Sequence, residues 1–109
     1  MSTSKRHYSS SINHHDAVVK MLCENPSYAQ LYLQIALEEI YEDQGIPAYL
    51  IALRQVIESR GGIGEIAAKA GLSRQQLYRT LSDNGNPTLT TLMKVTRAAG
   101  VKLFDSTVK

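Results

Sequence analysis

Residues 63–81 read IGEIAAKAGLSRQQLYRTL, and this stretch decides the fold. Ile66, Ala67 and Ala70 recur at helical spacing and face inward from a first short helix. Ala67 has to be small because a second helix crosses close by. Gly71 supplies the positive φ that lets three residues turn the chain sharply. Ser73 then caps a second helix by accepting from a backbone N–H two or three residues on. Leu72 and Leu77 anchor that helix to the core, which leaves Arg74, Gln75, Tyr78, Arg79 and Ser82 on the opposite face. Residues 63–82 thus read as a helix-turn-helix, an arrangement whose second helix enters the DNA major groove with its N-terminal residues at base edges.

The exposed chemistry suits that task. Arginine pairs bidentately with guanine O6 and N7, and glutamine with adenine N6 and N7. The expected base-contacting set is Ser73, Arg74, Gln75, Tyr78 and Arg79, with Tyr78 suited to a thymine methyl or a phosphate. Asn84, Asn86 and Thr88 lie at a turn that opens a helix, where backbone N–H groups and the helix dipole favour a phosphate. The plainer alternative is a pair of helices packed only for stability under a solvated Arg/Gln face. Flanking helices in register, and the Asn86-Pro87-Thr88-Leu89 segment, favour the DNA reading.

Upstream, Pro47 opens a helix with Leu50, Leu53, Val56 and Ile57 on one side, and Gly61-Gly62 stop it. Before it, Asn25-Pro26 start an amphipathic helix carrying Tyr28, Leu31, Tyr32, Ile35, Ala36 and Ile40. It should run to about Asp43, with Gly45 available to end it. Asp16 caps a short helix through Leu22, and the Ser-rich residues 1–15, with His7, His14 and His15, read as a mobile arm. Downstream, Thr88 caps a last helix with the apolar stripe Leu89, Leu92, Met93 and Val95, closed by Gly100. Only Val101-Lys102-Leu103 hint at a period of two. The chain of 109 residues fits one domain, 25–109, preceded by an arm, 1–24, that holds a short helix.

Charge is unevenly spread. Residues 1–45 hold three Lys or Arg against six Asp or Glu, whereas residues 46–109 hold nine against four. A basic C-terminal part suits a polyanion, and an acidic N-terminal part suits another partner; ordinary scatter of surface charge is the competing explanation. Glu38, Glu39, Glu42 and Asp43 cluster as a candidate docking patch, although consecutive acids usually form a solvated face. One cysteine, Cys23, excludes an internal disulfide framework and a Cys-rich zinc site. His14-His15 lacks the i, i+4 spacing that puts two metal ligands on one helix face. No nucleophile, base and orienter come together, so no enzyme, cofactor or metal is expected. No apolar run approaches the ~20 residues that span a bilayer, and the N-terminus lacks the apolar core of a secretion signal. A cytoplasmic setting is the expectation.

From about Leu31 to Leu103 the chain resembles the HigA-type antitoxins, helix-turn-helix addiction module antidotes related to the Cro/lambda-repressor class. The resemblance rests on YLQIALEE, IAAKAGLSRQQLYRTLS, GNPTLTTLMKV and AAGVKL. It implies an all-α, five-helix Cro/lambda-repressor-like domain with an N-terminal helical arm. It further implies a homodimer that binds double-stranded operator DNA, represses its own operon and neutralises a cognate RelE/ParE-like toxin. Thr80 departs from the repressor pattern, which wants an apolar residue there. Residues 1–24 have no counterpart from which toxin-binding residues can be carried over. The alternative is a stand-alone prophage-type transcriptional regulator without a toxin.

Overall fold

The computed structural model describes residues 14–82 and 84–105. The fold is all-α: six helices and no strand lie among these residues. They are α1 (14–24), α2 (Tyr28–Glu38), α3 (Gly45–Ser59), α4 (Ile63–Ala70), α5 (Arg74–Thr80) and α6 (Leu89–Ala99).

Helix α3 is the central strut. Tyr49, Leu50, Ala52, Leu53, Val56 and Ile57 are all buried, too wide an apolar arc for one neighbour. Helices α2, α4 and α6 accordingly pack around it, and α4 also packs against α5 and α6. Pro47 sits in the first turn of α3, where a missing N–H costs nothing. Gly61 and Gly62, both at positive φ, end the run after it.

The N-terminal region differs from expectation in two ways. Helix α1 already includes His14 and His15, so Asp16 lies inside it rather than capping it, and the two histidines are not on an arm. Leu22 is only 1% exposed and belongs to the core, with Val18 and Met21 packed against it. Burial of that apolar stripe is what carries the helix past Leu22. His7 and the rest of residues 1–13 lie outside the described residues.

Asn25-Pro26 does not open α2. The Asn25 N–H and Nδ2 both donate to the Met21 carbonyl, at 2.9 and 3.1 Å, which finishes α1 instead. Helix α2 begins after a tight turn at Pro26-Ser27 and stops at Glu38, not at Asp43. Beyond it the chain folds back through short-range turns: the N–H of Glu42 donates to Glu39 and that of Gly45 to Glu42. The cause is Gly45. A Cβ there would overlap the backbone oxygens of Glu39 and Ile40, so only glycine permits this approach, and the residue starts α3 rather than ending α2. Gln44 takes the left-handed conformation, φ 62°, that was expected of the glycine.

Helix α6 also corrects its expected stripe. Val95, Thr96 and Ala99 are buried, whereas Leu89 and Met93 are 63% and 55% exposed. Thr96 takes an inward position because its hydroxyl donates back to the Leu92 carbonyl at 2.9 Å. Gly100, at φ 80°, closes the helix. The alternation at residues 101–103 is real but builds no strand. Val101 points in, Lys102 out and Leu103 against the core. The Gln30 side chain takes both backbone groups of Lys102, its Oε1 accepting at 2.8 Å and its Nε2 donating at 2.9 Å.

Arg60 joins three chain ends. It caps α3, donates through Nη1 to Ala99 O at 3.2 Å, and through Nη2 to Pro26 O at 2.8 Å. A cation at the C-terminal carbonyls of α6 is also favoured by the helix dipole. Arg60→Met keeps the aliphatic stem and removes both bonds. It should cost about 2 kcal/mol of stability, read as an earlier midpoint in urea unfolding followed by circular dichroism. An unchanged midpoint would show that these bonds contribute nothing net.

Candidate nucleic-acid interface

Helix α4 is short and strongly one-sided, with Ile66 and Ala67 buried and Glu65 paired to Lys69 at 3.3 Å on the outside. Gly71 leaves the helix at φ 75°, and the Leu72 N–H donates to Ala67 O at 2.9 Å. Ser73 is extended and caps α5. Its Oγ accepts from the Gln76 N–H at 3.0 Å while the Ser73 N–H donates to Gln76 Oε1 at 2.8 Å. This reciprocal box satisfies two backbone donors at once. It also divides the adjacent glutamines: Gln76 is committed to the cap, and Gln75 is left exposed. The S-x-x-Q spacing at 73–76 carried that signal in the sequence.

Leu77 and Leu81 pin α5 to the core, both essentially fully buried. Thr80, at the position where an apolar residue was wanted, turns its hydroxyl back to the Gln76 carbonyl at 2.8 Å. Leu81 supplies the buried contact next to it. Arg74, Gln75, Tyr78 and Arg79 all project outward. Among the described residues the side chains of Arg74, Gln75 and Arg79 meet no hydrogen-bonding or charged partner. Ser82 is half-buried and donates to Arg79 O at 2.8 Å, which tidies the end of α5.

The turn after α5 is drawn close by Gly85, whose Cα lies against the carbonyls of Thr80 and Ser82 with no room for a Cβ. This places exposed Asn84 and Asn86 beside Arg79, around a depression of about 600 Å³. Thr88 caps α6, its Oγ1 accepting from the Thr91 N–H at 3.1 Å. Of the sequence-predicted residues, Arg79, Asn84 and Asn86 thus border one depression, and Tyr78 and Asn84 border another. Glu38 ends α2, and Glu39, Glu42 and Asp43 lie in the turns that follow rather than on a helix. All four are exposed, around a Tyr41 that is 97% exposed. They line neither depression that borders α5.

One neighbour of α5 escaped the sequence reading. The Arg54 guanidinium, from α3, lies 4.8 Å from the centroid of the Tyr78 ring. Its Nε donates to Glu58 Oε2 at 3.0 Å, and the other oxygen of Glu58 accepts from His15 Nε2 at 3.1 Å. Gln55 Nε2 in turn donates to His15 Nδ1 at 3.3 Å, and the Tyr32 hydroxyl donates to Gln55 Oε1. With the imidazole proton on Nε2, each of these four contacts pairs a donor with an acceptor. Burial works against the charge of Arg54, but Glu58, by hydrogen bond and charge, and the neighbouring Tyr78 outweigh it and hold the group above its usual range. Burial pushes the Tyr32 hydroxyl up, with Tyr28 adding to it, and pushes Tyr49 up to about 12. The i, i+4 spacing of Arg54 and Glu58 was legible; the contacts across helices were not.

No group of three or more His, Cys, Asp or Glu residues suited to a metal occurs among the described residues. Cys23 is exposed, its Sγ 3.6 Å from Ser59 O. No helix among them is long and apolar enough to cross a membrane. What these helices define is a small all-α binding protein with a polar, basic outward helix.

The chain belongs to the family described as "Probable addiction module antidote protein", whose model matches residues 12–107. It is 40% identical over 70 residues to an uncharacterized protein of Haemophilus influenzae (strain ATCC 51907 / DSM 11121 / KW20 / Rd), a match that covers 64% of this chain and 71% of that protein. No solved structure matches. Antidotes of addiction modules are regulatory binding proteins, not enzymes, and membership implies a cognate toxin.

The Thr88 cap yields a direct test. Thr88→Ala should lose about 1 kcal/mol of stability, with faster hydrogen exchange at the Thr91 amide. Unchanged stability and exchange would mean that solvent serves the amide as well as the hydroxyl does.

Proposed function

We propose that the chain is the antitoxin of a type II module, which neutralises a RelE/ParE-like toxin and represses its own operon by binding operator DNA. In this reading residues 63–82 are a Cro/lambda-repressor-like helix-turn-helix, and α5 is the recognition helix. The observation that carries it is the outward face of α5, where Arg74, Gln75 and Arg79 stand exposed with no side-chain partner among the described residues. Long polar side chains held on a rigid, capped helix, with their donors unspent, fit base edges. Tyr78 adds an amphipathic contact, and Ser73 brings the helix start to the groove. Asn84, Asn86 and the α6 start at Thr88 then meet the phosphate backbone.

One such helix covers only a few base pairs, so an operator is bound by a homodimer with half-sites about one helical turn, ~34 Å, apart. The protein works in the cytoplasm, where operon and toxin both are. Glu38, Glu39, Glu42 and Asp43 are proposed to face the toxin, since an RNA-gripping toxin is basic and acidic residues complement it. The toxin implied by family membership leaves the stand-alone regulator without support.

A reciprocal experiment tests both halves on the DNA upstream of the gene and on the adjacent toxin. Replacing Arg74, Gln75 or Arg79 with Ala should cost about 1–3 kcal/mol of operator binding and relax preference locally, with toxin binding intact. Changing Glu38, Glu39 and Glu42 to Gln together with Asp43→Asn should weaken the toxin complex and leave operator binding near normal. Unaltered base preference in the first set would remove the recognition-helix assignment. Full toxin affinity in the second would remove the docking assignment.

A further inference from the structure

We infer that Arg54, which lies outside residues 63–82 on α3, is a positioning residue for DNA recognition and acts through Tyr78. The inference rests on the DNA-binding reading of α5 and adds a residue to it.

The geometry is a restrained stack. Tyr78 is 53% exposed at the outer face of α5, where an unsupported ring would sample several rotamers. The Arg54 guanidinium lies over it at 4.8 Å to the ring centroid, within the range of a cation–π contact. Arg54 is itself fixed. Its Nε is taken by Glu58 Oε2 at 3.0 Å, one turn along the same helix, and Glu58 is fixed by His15 Nε2 at 3.1 Å from α1. A chain of restraint therefore runs from α1 through α3 to the recognition face. Arg54, Tyr78 and Asn84 also line one cleft of about 460 Å³, so the ring stands next to the edge of the proposed phosphate-facing turn.

Two features decide between positioning and a direct phosphate contact. The Arg54 charge is already paired with Glu58, which weakens its pull on a further anion. Its guanidinium lies over the Tyr78 ring, and only about a third of the side chain is open to solvent. What remains is the fixing of Tyr78 before DNA arrives, so that less side-chain freedom is lost on binding.

The test uses the full chain and two duplexes, one selected by the wild-type protein from a random-sequence pool and one of random sequence. Arg54→Lys keeps the charge and can keep the Glu58 pair but loses the guanidinium over the ring; Arg54→Met loses all three. Each should lower the preference for the selected duplex about five- to tenfold and leave the slope of log affinity against log salt unchanged. In a Tyr78→Ala background the same changes should have no further effect, the signature of action through that ring. A slope reduced by about one in Arg54→Met marks a direct phosphate contact and overturns the inference. Losses that add to those of Tyr78→Ala overturn it as well, as does unchanged preference in both variants. A wild type that selects no sequence at all overturns the DNA reading itself, and this inference with it.

Discussion

Burial of α3 on three sides is the constraint on which the rest of the molecule depends. The helices around it are short, and pieces of seven to eleven residues such as α2, α5 and α6 have no helical stability of their own in water. They hold because α3 presents Leu50, Leu53, Val56 and Ile57 to α2, α4 and α6, because α5 is seated on α4, and because Leu22, Leu33, Leu77 and Val95 belong to the same core. The polar ties act at the ends of helices rather than in their middles. Arg60 serves α6 and the start of α2, Gln30 holds the C-terminal segment, and Ser73 with Gln76 closes the start of α5. Such ties choose among packings that apolar burial alone would allow.

The same frame explains why the outer face of α5 keeps its donors unspent. Leu77 and Leu81 fix the rotation of the helix, the capping box fixes its start, and Gly85 presses the following turn against its end. Arg74, Gln75 and Arg79 are left with no partner among the described residues, whereas Arg54 and Arg60 make internal bonds. Membership of the addiction module antidotes gives that unspent chemistry a biological setting. It also supplies a second partner, a toxin, for which the exposed acids after α2 are the proposed contact.

The sequence was most readable where a local signal coincides with a local cause. The positive φ of Gly71 and Gly100, the caps of Ser73 and Thr88, and the burial of Ile66, Ala67 and Leu77 all stand where residue type alone placed them. It misled where the cause is a distant contact. Gly45 read as a helix stop, yet what matters is how closely Glu39 and Ile40 approach its Cα. Met93 read as core by its place in an apolar stripe, and buried Thr96 displaced it through a bond to its own helix. Asp16 read as a cap because its neighbours 14 and 15 read as arm, and only the non-local bonds of His15 to Gln55 and Glu58 reveal them as helix. Arg54 had an i, i+4 partner in plain view but nothing to connect it with Tyr78, 24 positions on.

Chemical probing of the grooves tests the central claim most directly. Dimethyl sulfate methylates guanine N7, which faces the major groove, and adenine N3, which faces the minor groove. Protein bound to the DNA upstream of its gene should shield guanine N7 positions in two patches about one helical turn apart, and the Arg74→Ala and Arg79→Ala proteins should each uncover particular guanines within them. Protection confined to adenine N3, or no protection of either base, would contradict the placement of α5 in the major groove.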